Sequence, residues 1–339
     1  MHCLSFSATS RNEFRNVLIL DHLNINHERG RHDLLKSFYF DFLQCGIDPR
    51  KAENYEQGSK TLWANIGAQQ FHLPEGKPNA QVLDGEIRLY YDPKAYDKMV
   101  KAAEDMKDLN IMKDTKFAVS KMSEMEMLVF DCWGSRFRII SSDKEKDIRG
   151  LQKNIDDFDT LGNDMDLQIF TPTNANIAGI GRFYEQILDT PVIIGEDNCV
   201  VSMGPCQTLT FTRGDDASFD RDMHVDLRDE PENNPSDKKY YQSNYGPHIS
   251  LYVRDIRSTF KRAEELGIAY VNPRFKRRAY TEDEVVKDCM FRFLDIVDPL
   301  NIEDGVILSL EHEVRSVLKA DGSLYKSCPF VEAPAGCVI

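Results

Sequence analysis

The stretch YGPHISLYVRDIRSTFKRAEELG, Tyr245 to Gly267, decides how the chain is read. His248, Ser250 and Tyr252 alternate with Ile249, Leu251 and Val253, the period of a strand with two unlike faces. Asp255 stands where a helix N-cap would, and Ile256, Phe260, Ala263 and Leu266 follow at helical spacing. Gly267 supplies the stop. The strand-like runs IAYVNP, CMFRFLDIVDP and GVILSLEHEV come next, so the unit reads β-α-β-β-β. A histidine opening such a strand is usually structural. Its meaning turns on whether the unit recurs, and on what then stands at the same point.

The unit does recur. VLILDHLNINH, the amphipathic run HDLLKSFYFDFLQCG and TLWANIGAQQFHLPEG give the same order near the start. A second copy runs from GEIRLYYDP through KAYDKMVKAAEDM to MLVFDCWGSRFRIISS, and a third from DLQIFTPTN through IAGIGRFYEQIL to PCQTLTFTRGD. A repeat fixes architecture more firmly than any single motif. The expected division is a first domain at 16–142, with units at 16–79 and 82–142, and a polar linker at 143–163. A second domain follows at 164–315, with units at 164–214 and 245–315 around a long loop, 215–244. Residues 316–339 form a tail.

Composition excludes several classes of function. The chain has 339 residues, 41% of them hydrophobic and 29% charged, enough for a sizeable core. A formal net charge of -14 disfavours a grip on nucleic acid or on anionic membrane, and no apolar run reaches bilayer length. The first residues, MHCLSFSATSRNEFRN, lack the apolar core of a secretory signal. Eight scattered cysteines without a C-x-x-C pair read as reduced thiols. A cytoplasmic location is expected, with an organellar one the alternative. The tail AGCVI is not a prenylation box. A monomer or homodimer acting on a small molecule fits these features.

Four β-α-β-β-β units in two pairs resemble the vicinal oxygen chelate superfamily, which includes glyoxalase I, fosfomycin- and bleomycin-resistance proteins and extradiol dioxygenases. GPHISLYVRDIRSTFKRAEELGIAYV is similar to the second unit of glyoxalase I, FYEQILDTPV to the family's first helix and turn, and LDHLNINH to its first strand. The resemblance implies an α+β fold, with paired units curled into two half-open β-barrel cups and helices outside. It also implies ligands at the opening polar residue of each first strand and near the middle of each last strand. Those positions are His22 and His72, Glu86 and Arg138, Gln168 and Thr210, and His248 and Glu311. Ser309 and Glu313 share the face of Glu311.

Arginine cannot ligate a cation, so pairing units in chain order compromises both cups. Pairing the first with the fourth, as in fused two-site glyoxalases, collects His22, His72, His248 and Glu311 and leaves the other cup without metal. One divalent ion, Zn, Fe, Ni, Mn or Co, is then expected. Glu311 would be ligand and proton-transfer base in glyoxalase-like lyase or isomerase chemistry through a metal-held enediolate. True glyoxalase I has glutamate at the position of His72. A non-heme Fe(II) dioxygenase and a metal-free sequestering protein are the alternatives. Arg274, Lys276, Arg277 and Arg278 would clamp an anionic substrate, or else form a solvated basic loop. His27, His32, His224 and His312 read as surface or loop residues, and Arg138 as the ion-pair partner of Glu86.

Overall fold

The computed structural model describes residues 15–58, 61–75, 80–143, 162–205, 207–214, 247–270 and 281–339. The first unit holds β1 (Val17–Asn24), α1 (His32–Leu35), β2 (Gly46–Ile47), α2 (Ala52–Gln57), β3 (Leu62–Ile66) and β4 (Gln69–Leu73). The second holds β5 (Gly85–Tyr91), α3 (Pro93–Lys107), β6 (Ala118–Ser123), β7 (Glu126–Phe130) and β8 (Arg136–Ser141). The third has β9 (Gly162–Thr171), α4 (Ile177–Leu188), β10 (Val192–Ile194), β11 (Asn198–Ser202) and β12 (Thr208–Arg213). The fourth has β13 (His248–Val253), α5 (Ile256–Glu265), β14 (Ala269–Tyr270), α6 (Glu282–Asp288), β15 (Met290–Val297) and β16 (Val306–Ser316).

Local chemistry sets the helix ends. Asp255 caps α5 by accepting from the Ser258 amide, and Asp92 caps α3 by accepting from Lys94 and Ala95. Thr281 and Glu284 form a reciprocal capping box on α6. The helix expected after β1 is α-helical for only four residues and then π-wound over Lys36–Phe42. Phe38, Tyr39, Phe40 and Phe42 are all buried there. The Phe38 and Tyr39 rings reach Phe71 of their own sheet and Phe137 of the other, so one helix seals both sheets. Among the described residues no helix is long and apolar enough to cross a membrane, and the described cysteines are free thiols.

The strands form two mixed eight-stranded sheets, in the orders β14-β15-β16-β13-β1-β4-β3-β2 and β10-β11-β12-β9-β5-β8-β7-β6. The first and fourth units therefore share one sheet, and the second and third share the other. The expected half-open barrel cups are absent. Each unit's first and last strands lie side by side, units meet through their first strands, and the remaining strands run out to unpaired edges, β14 and β2 or β10 and β6. Curling into a barrel would need pairing between those distant edges. The polar face is thus the middle of an open sheet.

The two sheets are also held by specific contacts. Gln69 donates its side-chain amide to Asp164 at 2.8 Å, and Asn16 donates to the Leu188 carbonyl and the Thr259 hydroxyl. Gly204, in the turn between β11 and β12, has φ +108°, and a Cβ there would run into the Leu18 carbonyl of β1. Gly204→Ala is therefore expected to cost about 2–3 kcal/mol through backbone strain and displacement. A denaturation midpoint matching wild type would show that this approach is not tight.

Candidate functional site

Register places the four expected ligands together. His22 lies opposite Ser250 and Gln70, Asn24 opposite His248 and His72, His248 opposite Glu311, and Ser250 opposite Glu313. Directly opposed residues share a face, so His22, His72, His248 and Glu311 occupy one patch built from β1, β4, β13 and β16. All are buried. The His22 ring stacks on His72 with centroids 3.7 Å apart and stands edge-on to His248 at 5.8 Å. His72 is stacked in turn on Trp63 at 4.4 Å, and its Nε2 lies 3.1 Å from the Gln70 side-chain oxygen.

A register shift in β1 between Leu20 and His22 inserts Asp21. Its carboxylate takes a 2.7 Å hydrogen bond from His22 Nδ1. That bond begins a chain of buried charges across the sheet. Asp21 faces Arg315 at 3.8 Å, Arg315 pairs with Glu313, Glu313 with Arg292, and Arg292 with Glu311 at 2.6 Å. Three carboxylates meet two guanidiniums, so the face has an acid in excess. Burial raises the Asp21 carboxyl above its ordinary range. Burial, followed by the nearby Arg315 guanidinium, pulls His22 well below 6.5; burial and then His22 do the same to His72. Both imidazoles are neutral at pH 7, the state that offers a lone pair to a cation. The Ser250 hydroxyl between them and Glu313 is buried without a hydrogen-bond partner.

Imidazoles and carboxylates share this face, but among the described residues the group whose ligand atoms all lie within 4.8 Å of one another is a different one, His27, His32 and Glu75. The face carries two neutral imidazoles and an unpartnered Ser250 hydroxyl, while Glu311 is held by Arg292. The strand alternation of MFRFLDIV could have exposed Arg292 to a sequence reader, because Glu313 and Arg292 are directly opposed. The Asp21 bulge left no such signal. Arg50, paired with Asp48 and lying over Trp63, is a partly exposed cation near this face that the sequence reading also missed.

The other sheet differs in kind. Glu86 lies opposite Gln168, and Gln168 opposite Thr210. Arg138 holds the Glu86 carboxylate with two guanidinium hydrogen bonds, as expected. Arg88 adds a bond to Gln168. This patch is an internal ion-pair network.

Three histidines expected at the surface are buried. His312 stacks on Phe293 at 4.2 Å, donates from Nδ1 to the Leu310 carbonyl and accepts from the Tyr184 hydroxyl at 2.7 Å. Sequence position alone could not show that α4 of the third unit covers it. His27 and His32 lie with Glu75 in a group whose ligand atoms are all within 4.8 Å of one another. Among the described residues this trio is a candidate metal-binding cluster on its own. Burial and then His32 bring His27 down to about 4. His224, Arg274, Lys276, Arg277 and Arg278 lie outside the described residues.

No family model matches the chain, and no curated protein matches it. Solved structures do. A putative dioxygenase from Bacillus subtilis is 10% identical with TM-score 0.47, covering 89% of this chain and 86% of that one. Glyoxalase I from Zea mays is 12% identical with TM-score 0.46, covering 88% and 92%. The cppA protein of Streptococcus pneumoniae is 12% identical with TM-score 0.44, covering 89% and 100%. Likeness at this level decides nothing about activity. The architecture itself rests on the four repeated units and their order in two open sheets.

Two outcomes follow from the site's electrostatics. Arg292→Met leaves Glu311 and Glu313 buried without their shared countercharge, and is expected to cost about 3–5 kcal/mol in a denaturant melt. Wild-type stability in that variant would mean the charge chain is not intact in solution. Stability should also fall as pH drops below 6.5, the ordinary histidine value, because His22, His72, His27 and His312 have folded values below it, His312 at about 3. The unfolded chain then binds more protons, by up to about 1.4 kcal/mol per pH unit for each imidazole. Asp21 and Asp131, raised by burial with Asp131 near 6, act in the opposite sense at lower pH. Melts between pH 7 and 6 should still show a net fall, because four imidazoles outweigh the one carboxyl, Asp131, that takes up a proton near 6; a flat profile there would contradict their burial as neutral rings.

Proposed function

We propose that this chain is a metal-dependent enzyme acting on a small oxygenated anion, with its reaction site on the His22, His72, His248 and Glu311 face. The observation that carries the reading is the excess acid on a buried patch already furnished with neutral imidazoles. A divalent ion there would turn the local balance positive, which suits an anionic substrate. When bound, it would act as a Lewis acid on paired substrate oxygens. Glu311 would then move a proton between adjacent substrate carbons, in glyoxalase-like lyase or isomerase chemistry. Arg292, paired with Glu313, would keep that second carboxylate from competing. Trp63 and His72 would exclude water by stacking. Arg50 is placed to meet a substrate carboxylate, joined in this proposal by Arg274, Lys276, Arg277 and Arg278.

One observation favours a second reading. His72 lies between His22 and Trp63 and is engaged by Gln70, which suits a supporting ring. His22, His248 and Glu311 would then form the two-histidine, one-carboxylate set of Fe(II) dioxygenases.

Elemental analysis of untagged protein, with His22→Ala and His248→Ala beside it, tests the shared claim. Each variant should weaken metal binding at this face by more than roughly 100-fold while the circular dichroism of the fold persists. Glu311→Gln should lose turnover on small oxoanions more than it loses metal. Oxygen uptake separates the dioxygenase from the lyase. Metal-free protein that still binds a ligand on this face would establish the sequestering alternative instead.

A further inference from the structure

The trio His27, His32 and Glu75 lies apart from the reaction face. His22 belongs to the polar face of β1, whereas His27 continues the alternate series Leu23 and Ile25, both in the apolar core. Beyond the end of β1 the chain keeps running beside the chain that follows β4. The Ile25 amide donates to the His72 carbonyl and the His27 amide to the Pro74 carbonyl, which brings His27 beside Glu75. His32 opens α1 five residues later and turns its ring edge-on to His27, with centroids 4.6 Å apart. Next to them Glu28 accepts a hydrogen bond from the Trp133 indole of the second unit, so the segment also touches the other sheet.

Hydrogen bonding accounts poorly for this arrangement. His27 Nε2 and His32 Nδ1 are 3.4 Å apart, long for a nitrogen–nitrogen hydrogen bond. Two nitrogens each about 2.0–2.1 Å from a tetrahedral ion stand about 3.3–3.4 Å apart, which is the separation found. Glu75 Oε1 lies 3.7 Å from His32 Nδ1, and its side chain is 30% exposed, which leaves an entry for an ion and room for water. Two imidazoles and a carboxylate suit a borderline d-block cation.

We propose that His27, His32 and Glu75 form a second, structural divalent-cation site, for an ion such as Zn2+ or Co2+, that clamps the segment between β1 and α1 onto the end of β4. It does not depend on the proposed reaction. Because the ion would bind only the assembled segment, it stabilises the folded chain by mass action.

The test uses the full chain carrying His22→Ala and His248→Ala, stripped with chelator and titrated with Co2+, so that the reaction face cannot contribute. One equivalent of cobalt should bind, with the visible absorption of a four- or five-coordinate ion, and the melting temperature should rise. Adding His27→Ala should weaken cobalt affinity by at least roughly 100-fold and abolish the melting shift. Glu75→Gln, at a partly exposed position, should weaken it by at least roughly 10-fold, and decides the matter if the histidine variant fails to fold. Unchanged affinity and melting shift in the Glu75→Gln protein would overturn the site. So would the absence of any cobalt band in the doubly substituted background, whatever the parent protein binds at its reaction face.

Discussion

The antiparallel pairing of β1 with β13 is the constraint from which the rest follows. It opposes His22 to Ser250 and Asn24 to His248, while parallel pairings on either side bring in His72 from β4 and Glu311 from β16. None of these residues could meet another unit's donors if the first strands did not run side by side. The polar face therefore belongs to neither end of the chain alone. It exists only when the first and fourth units are folded onto one another.

That pairing also explains how the sheet carries so many charges. Asp21, Arg315, Glu313, Arg292 and Glu311 form an unbroken series, and each buried ion has a partner within the series. A buried pair gains little over apolar packing, but removing one member leaves the other exposed to the full desolvation cost. The second sheet settles the same problem differently: Arg138 is tied to Glu86 and Glu126, and Arg88 to Glu86 and Gln168. The units thus build one patch rich in imidazoles and carboxylates and another in which arginines hold the acids.

Much of the fold was legible because local signals and repetition agree. The alternation around His248, the Asp255 cap and the four-fold unit led to the strands and helices found, and an arginine at position 138 pointed to the pairing of first with fourth units. The openness of the sheets was not legible, since it depends on where edge strands end relative to one another. Histidine burial was misjudged for a related reason. His312 is covered by Tyr184 from another unit, and His27 is drawn inward by backbone bonds that extend β1 past its polar end. Asp21 entered the site through a bulge, and Arg292 through a cross-strand partner, neither of which a single strand's pattern displays.

Anomalous diffraction from crystals grown with Zn2+ and collected on both sides of the zinc edge tests the central claim most directly. The account predicts a peak on the face of the shared sheet, within bonding distance of side chains from both β1 and β13. No zinc peak on that shared face, or one lying beside Glu86 and Arg138 instead, would contradict it, whatever peak appears at His27, His32 and Glu75.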